Sequence, residues 1–321
     1  MISKGVTALA AALTIAALVA MVTLAGCRAA GTQAEAQPEA ATTGQTVEQA
    51  YLGLSSGPLA KAAIGDLAGG VVLESGELSI TRDEVDAFIE ELAGNPEAVE
   101  GLRAEAFFVL EQIAIEQLLE QDAIQWAEEQ GEGTDASIDT HLQHIAEKVT
   151  ASDEDVREFY DRNAEMFGGA TYEQISEQLR AMVLRERQQE AITTHIDGLS
   201  ERREVVVDAG FLAEVAPNAL DNPVDRARRS GKPTFVDFGA KGCYACDMME
   251  PIIEELEAEF GDRVNVVLIQ VDEEQYLTAR YGVRSIPVQF IYDAEGREVF
   301  DHMGFLSKDA ILEELAALGV D

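Results

Sequence analysis

The sequence predicts two folded parts: a mostly α N-terminal domain and an α/β C-terminal domain with a partly parallel sheet. Three observations predict this. Through residues 81–200, apolar positions recur at helical spacing in segments bounded by capping residues and glycines. From Phe211 onward, buried-type strands alternate with helical patterns, the order that right-handed crossovers require. Between strand-like Thr234–Phe238 and the helical pattern beginning at Met248 stands Gly242-Cys243-Tyr244-Ala245-Cys246. Two thiols therefore fall at a strand-to-helix junction, where the helix dipole favours the thiolate of the first.

The elements follow in order. Lys4 precedes the apolar stretch Val6–Leu24, which runs into Leu24-Ala25-Gly26-Cys27. A positive residue, an apolar run and small residues at a cleavage point make an export signal. The small residues before Cys27 resemble the lipobox of bacterial lipoproteins. That resemblance makes 1–27 a lipoprotein signal peptide and implies cleavage before Cys27 and lipidation of its thiol. The alternative is an uncleaved anchor, since the stretch is nearly long enough to span a bilayer. Either reading places the chain in the cell envelope, anchored to a membrane and facing the periplasmic or extracytoplasmic side. Disulfides can form there.

Residues 28–66 are rich in Ala, Gly, Gln, Thr and Glu, and are expected to form a flexible tether. The helical domain is expected over 67–210. Val71–Ile80 reads as a hairpin around Ser75-Gly76. Thr81 with Glu84 forms a capping box for a helix through Leu92. Asn95-Pro96 opens a longer helix with the stripe Val99, Leu102, Ala106, Leu110, Ile113, Ala114 and Leu118, ended by Gly131 and Gly133. Further helices are expected over about Asp135–Lys148, from Ser152 to Met166, and from Thr171 past Ile196. Val205-Val206-Val207 closes the domain as a strand.

Gly76-Glu77-Leu78-Ser79-Ile80-Thr81, Ser152–Tyr160 and the closing helix with Val205-Val206-Val207-Asp208 resemble the chaperone part of SurA-type foldases and parvulin-type prolyl isomerases. The resemblance covers roughly 71–208. Where those foldases carry an isomerase domain, this chain has only Gly168-Gly169, so no isomerase activity is expected. What the resemblance implies is a chaperone-like cradle for polypeptide; the plainer reading is a spacer.

The α/β domain is expected over 211–321. Thr234–Phe238 and Val264–Val271 are the buried-type strands. Val288–Tyr292 and Glu298–Phe300 flank Asp293-Ala294-Glu295-Gly296 as a hairpin, and Ser307–Leu318 is the last helix. A bare C-x-x-C also suits zinc, but zinc needs four ligands. The remaining cysteine, Cys27, is remote, and the four histidines are scattered. His141 and His144 share a helix face and read as an exposed polar pair, so no metal is expected.

Phe235-Val236-Asp237-Phe238, Pro251, Tyr281-Gly282-Val283-Arg284-Ser285-Ile286-Pro287 and Gly304-Phe305-Leu306-Ser307-Lys308 all resemble thioredoxin-family patterns. The variant is most similar to exported thioredoxins that receive electrons from a membrane thiol transporter of the cytochrome-c-biogenesis type. The resemblance implies a thioredoxin fold over about 220–321 and a catalytic trio of Cys243, Cys246 and Asp237. Cys243 attacks the substrate disulfide, Cys246 resolves the mixed disulfide, and buried Asp237 handles the Cys246 proton. It also implies a cis Pro287 that presents the Ile286 backbone to an extended substrate, with Tyr244 and Ala245 at the same surface. The redox-active disulfide itself serves in place of a cofactor. Gly239 and Gly242 stand where thioredoxins usually have tryptophans, Tyr244-Ala245 replaces Gly-Pro, and Leu268 replaces a lysine.

Composition narrows the partners. The net charge of −37 comes from 60 acidic against 23 basic residues, a field that repels nucleic acid and anionic surfaces. The expected function is a membrane-tethered disulfide reductase or isomerase acting on exported proteins or thiols, fed by a membrane thiol donor. A holdase with the C-terminal domain as docking module is the alternative. Metal delivery by the dithiol is a third, weaker for lack of further soft ligands nearby.

Overall fold

The computed structural model describes residues 44–131, 137–162, 167 and 169–320. The signal-peptide and lipidation expectations, Cys27 included, lie outside the described residues. Among the described residues, no helix is long and apolar enough to cross a membrane.

The tether expected over 28–66 is corrected from residue 44 on. Helix α1 (Val47–Ala50) starts with a Thr46–Gln49 capping box, a 3-10 turn covers Pro58–Lys61, and β1 spans Ala63–Gly65. Val47, Leu54, Leu59 and Ala62 are fully buried, and Tyr51 and Ile64 nearly so. A handful of well-spaced apolar residues, diluted by Ala, Gly and Ser, is enough to fold this segment once neighbours cover it.

The hairpin forms as expected: β2 (Val71–Ser75) pairs antiparallel with β3 (Leu78–Thr81). Thr81 and Glu84 make their capping box at the start of α2 (Arg82–Leu92). The long helix expected from Asn95 is two, α3 (Pro96–Ala104) and α4 (Ala106–Gln130). Glu105 leaves helical geometry between them, and its carboxylate meets Arg280 at 3.3 Å. Next come α5 (Ile138–Glu147), α6 (Asp153–Arg162), α7 (Tyr172–Asp197) and α8 (Leu199–Arg202). Strand β4 (Val206–Asp208) follows. It pairs parallel with β1 and antiparallel with β2, giving the sheet order β1-β4-β2-β3.

The chain also divides differently from the expected 67–210 and 211–321. One compact unit holds the described residues through Gln112 together with those from Val205; the other is Ile113–Glu204. The sequence places β4 beside the helices it follows, whereas its hydrogen bonds tie it to β1 and β2. Strand pairing between distant segments leaves no local signature.

In the first unit, α9 (Ala209–Ala219) and α10 (Pro223–Arg228) lead to β5 (Thr234–Gly239), α11 (Tyr244–Phe260), β6 (Asn265–Gln270) and α12 (Gln275–Arg280). Then come β7 (Val288–Tyr292), β8 (Glu298–Met303) and α13 (Lys308–Ala317). The sheet order is β6-β5-β7-β8, parallel between β5 and β6 and antiparallel elsewhere. Alternation along β5 sorts its side chains. Phe235 packs with Met249, Ile253 and Leu256 of α11, while Val236 and Phe238 pack with Leu277, Tyr281 and Phe290 on the other face. Asp237 therefore lies on the α11 face.

A charge cluster is sealed in this unit. Asp225 is fully buried; it bonds Arg280 and accepts from the Tyr281 hydroxyl at 2.6 Å and from Asn222 Nδ2 at 2.5 Å. Arg280 also donates to Ala219 O at 2.8 Å. Asp225→Ala leaves the buried Arg280 guanidinium with Glu105 in place of two carboxylates, so a loss of about 3 kcal/mol is expected in urea unfolding. A loss below about 1 kcal/mol would show that the guanidinium is not left uncompensated by the change.

Candidate active site

The site is built where β5 hands over to α11. Gly242, at φ +81°, adopts the left-handed conformation that glycine favours, and the chain then enters the helix. Cys243 is the N-cap: its Sγ accepts from Cys246 N at 3.3 Å. A sulfur in that position is stabilised as thiolate by the amide and by the dipole. Asp247 in the same first turn opposes this.

Cys243 and Cys246 are joined by a disulfide with Cα atoms 5.2 Å apart. Cys243 is half-buried, Cys246 is buried and Tyr244 between them is 81% exposed. The outer sulfur is the one an incoming disulfide can reach.

Asp237 is 1% exposed beneath the helix. A Cβ placed on Gly239 would stand 3.3 Å from Asp237 Oδ2 and 3.6 Å from Cys246 Sγ, so carboxyl and inner sulfur flank one point. Glycine here is what leaves the space between them. Burial pushes the Asp237 carboxyl up to about 6, opposed by a hydrogen bond from Gln289. A group titrating there is mostly ionised at pH 7 yet readily protonated, which suits it to proton exchange.

The Ile286–Pro287 peptide bond is cis. Val288 pairs with Phe238, so Pro287 stands level with Gly239 at the same end of the sheet. Pro287 O accepts from Gly304 N at 2.8 Å, which joins the proline loop to the turn carrying exposed Met303 and Phe305. Ile286 is half-buried there, and so is Ala245 on the helix. Pro251 lies inside α11.

A residue missed in the sequence is Gln289. It is fully buried, pairs with Asp237 in register and donates Nε2 to Asp237 Oδ1 at 2.7 Å. The signal was a lone amide within the apolar run of β7.

A thioredoxin family model matches residues 213–317. The thioredoxin of Bacillus subtilis strain 168 is 39% identical over 87 residues, 27% of this chain and 83% of that protein. The chain belongs to the thioredoxin family. It is also similar to the chloroplastic thioredoxin-like protein HCF164. The rice protein is 37% identical over 110 residues, covering 33% of this chain and 41% of that one. The Arabidopsis thaliana protein is 34% identical over 132 residues, covering 40% and 49%. The chain thus spans about half the length of these HCF164 relatives or less. Its thioredoxin domain makes it a thiol–disulfide oxidoreductase. The foldase resemblance expected over 71–208 is not supported, and that stretch lies outside the residues that the thioredoxin model matches.

Away from the thioredoxin domain, the second unit brings Asp122, His141 and His195 together, with one potential ligand atom from each within 4.8 Å of the others. His141 is therefore not the exposed residue expected from sequence: it is 6% exposed and stacked on Trp126. His195 Nε2 lies 2.7 Å from Asp122 Oδ2, but Arg203 is 3.5 Å from Oδ1 and Arg202 3.3 Å from His195 Nε2. Two guanidinium charges already neutralise the carboxylate and repel a divalent ion, so the cluster reads as an ion-pair network.

Proposed function

We propose that this protein is a membrane-tethered thioredoxin that reduces or isomerises disulfides in exported proteins, with Cys243 as nucleophile, Cys246 as resolving thiol and Asp237 as proton acceptor. The observation that carries the reading is the disulfide at the N-terminus of α11, its outer sulfur half-buried and its inner one backed by a sealed carboxyl.

In the reduced protein, the Cys243 thiolate attacks a substrate disulfide and expels one substrate thiolate. The Cys246 thiol then gives its proton to Asp237, and its sulfur attacks the Cys243 sulfur. That step expels the second substrate thiolate and leaves the Cys243–Cys246 disulfide. Two electrons have passed to the substrate, and the Asp237 proton is released to a substrate thiolate or to water. Exposed Tyr244 and the Ile286–Pro287 loop are the surface that holds the substrate chain, in extended form along the Ile286 backbone. Turnover needs a dithiol reductant, and a membrane thiol donor fits the address read from the N-terminus. The tether rests on Val6–Leu24 and Cys27 in the sequence. A chaperone role for residues 71–208 rests on sequence resemblance alone.

Insulin reduction by the full-length protein with dithiothreitol is the test of the chemistry: acceleration of B-chain precipitation is expected, and a rate equal to dithiothreitol alone would refute it. For the address, cells labelled with radioactive palmitate are expected to mark the wild type and not Cys27→Ser. Equal labelling of both would sink the lipid anchor.

A further inference from the structure

Strand β7 is the second central strand of its sheet, and Gln289 is the one amide among its five residues, Val288–Tyr292. It is fully buried, with Nε2 2.7 Å from Asp237 Oδ1 and with Oε1 lacking any hydrogen-bond partner. Burying an amide with an orphaned acceptor is costly, and an apolar side chain at the same position would avoid that cost. With the carboxyl ionised, the amide has a determined sense, because turning it over would set two acceptors against each other. What the structure gains is a donor aimed at one carboxyl oxygen, and a donor there stabilises the ionised form over the protonated one.

We propose that Gln289 is a positioning residue for thiol–disulfide exchange: through its hydrogen bond it keeps the Asp237 carboxyl beneath Cys246 ionised at neutral pH. This rests on the role proposed above for Asp237. Burial raises the Asp237 carboxyl and Gln289 is the opposing influence, leaving it at about 6. The surroundings are otherwise quiet. Cys246 faces it from α11, and β6 sets apolar Leu268 across from it. Glu250, Glu254 and Glu257 line the hollow beside Leu268, and His302 of β8 is paired with Gln289 while its ring lies 3.3 Å from Phe305 O. None of these groups contributes to the shift. Without the amide, the carboxyl holds its proton to higher pH and cannot accept another from the Cys246 thiol.

The test is the pH profile of insulin reduction by the full-length protein between pH 5 and 9. Wild type, Gln289→Leu, Gln289→Met, Asp237→Asn and the double variant Asp237→Asn/Gln289→Leu are compared, each checked for cooperative unfolding. In wild type the rate is expected to rise through an inflection near pH 6. Both Gln289 variants are expected to move it up by about one pH unit, the usual effect of one hydrogen bond to a charged group. That means roughly fivefold slower turnover at pH 6, about twofold at pH 7 and parity above pH 8. In the Asp237→Asn background the Gln289 change is expected to do nothing to the profile. A slowing that is uniform across pH, or an inflection that stays in place in whichever variant folds, overturns the proposal. An inflection that survives Asp237→Asn instead overturns the role of Asp237 itself, so the two failures are told apart.

Discussion

Cys243→Ser is expected to abolish disulfide reduction, bringing insulin turnover down to the rate of the chemical reductant alone. Among the described residues, no other nucleophile is placed to replace it. Cys246 is 6% exposed within the first turn of α11, whereas Cys243 is half-buried at the N-cap, where its sulfur is stabilised by Cys246 N at 3.3 Å. A serine hydroxyl in that place stays protonated at neutral pH and is a far weaker nucleophile toward sulfur. Cys246→Ser fails differently. Cys243 still attacks, but nothing resolves the mixed disulfide, so one substrate is captured per chain and multiple turnover ceases. A Cys243→Ser protein that still turned over would mean that the chemistry lies elsewhere.

Asp237→Asn is expected to stabilise the protein above pH 6 while slowing it. The folded state holds this proton up to about pH 6, and the unfolded chain releases it near 3.8. Between those values the folded state binds more protons, so stability falls as pH rises from about 4 to 6 and the deficit is constant above. The size of that deficit is roughly 3 kcal/mol, from 1.36 kcal/mol per pH unit of difference. Asparagine removes it and keeps an oxygen for the Gln289 donor. Urea unfolding of the oxidised protein at pH 7.5 is expected to show a gain of about 2–3 kcal/mol, and at pH 4 almost none. The exchange rate at pH 7 is expected to fall by roughly a hundredfold, the lower end of what a positioned base contributes. A pH-independent gain would mean that the carboxyl is not the titrating group.

The C-terminal fold was legible because its information is local. Thr234–Phe238, the cysteine pair at a helix start and the β7–β8 hairpin each lie within a few residues of their own signals. The cis Ile286–Pro287 bond came from a motif rather than from any propensity. What was hidden depends on partners far along the chain. Residues 44–66 look like a tether until β1 meets β4 about 140 residues later. Nothing near Asp225 in the sequence shows that it is sealed by Arg280 and Tyr281, about 55 residues later. His141 looked exposed beside His144, and it is covered because Asp122 and His195 arrive from α4 and α7. Gln289 was visible as an odd letter in an apolar strand, but only the register with β5 shows what it bonds.

The central claim is tested most directly by trapping. Reduced full-length Cys246→Ala protein is mixed with a disulfide-linked peptide at neutral pH, quenched with acid and digested, and the adduct is located by mass spectrometry. The peptide is expected in disulfide linkage to Cys243, at close to one per chain. An unmodified Cys243, or a peptide carried at Cys27 in its place, would contradict the account.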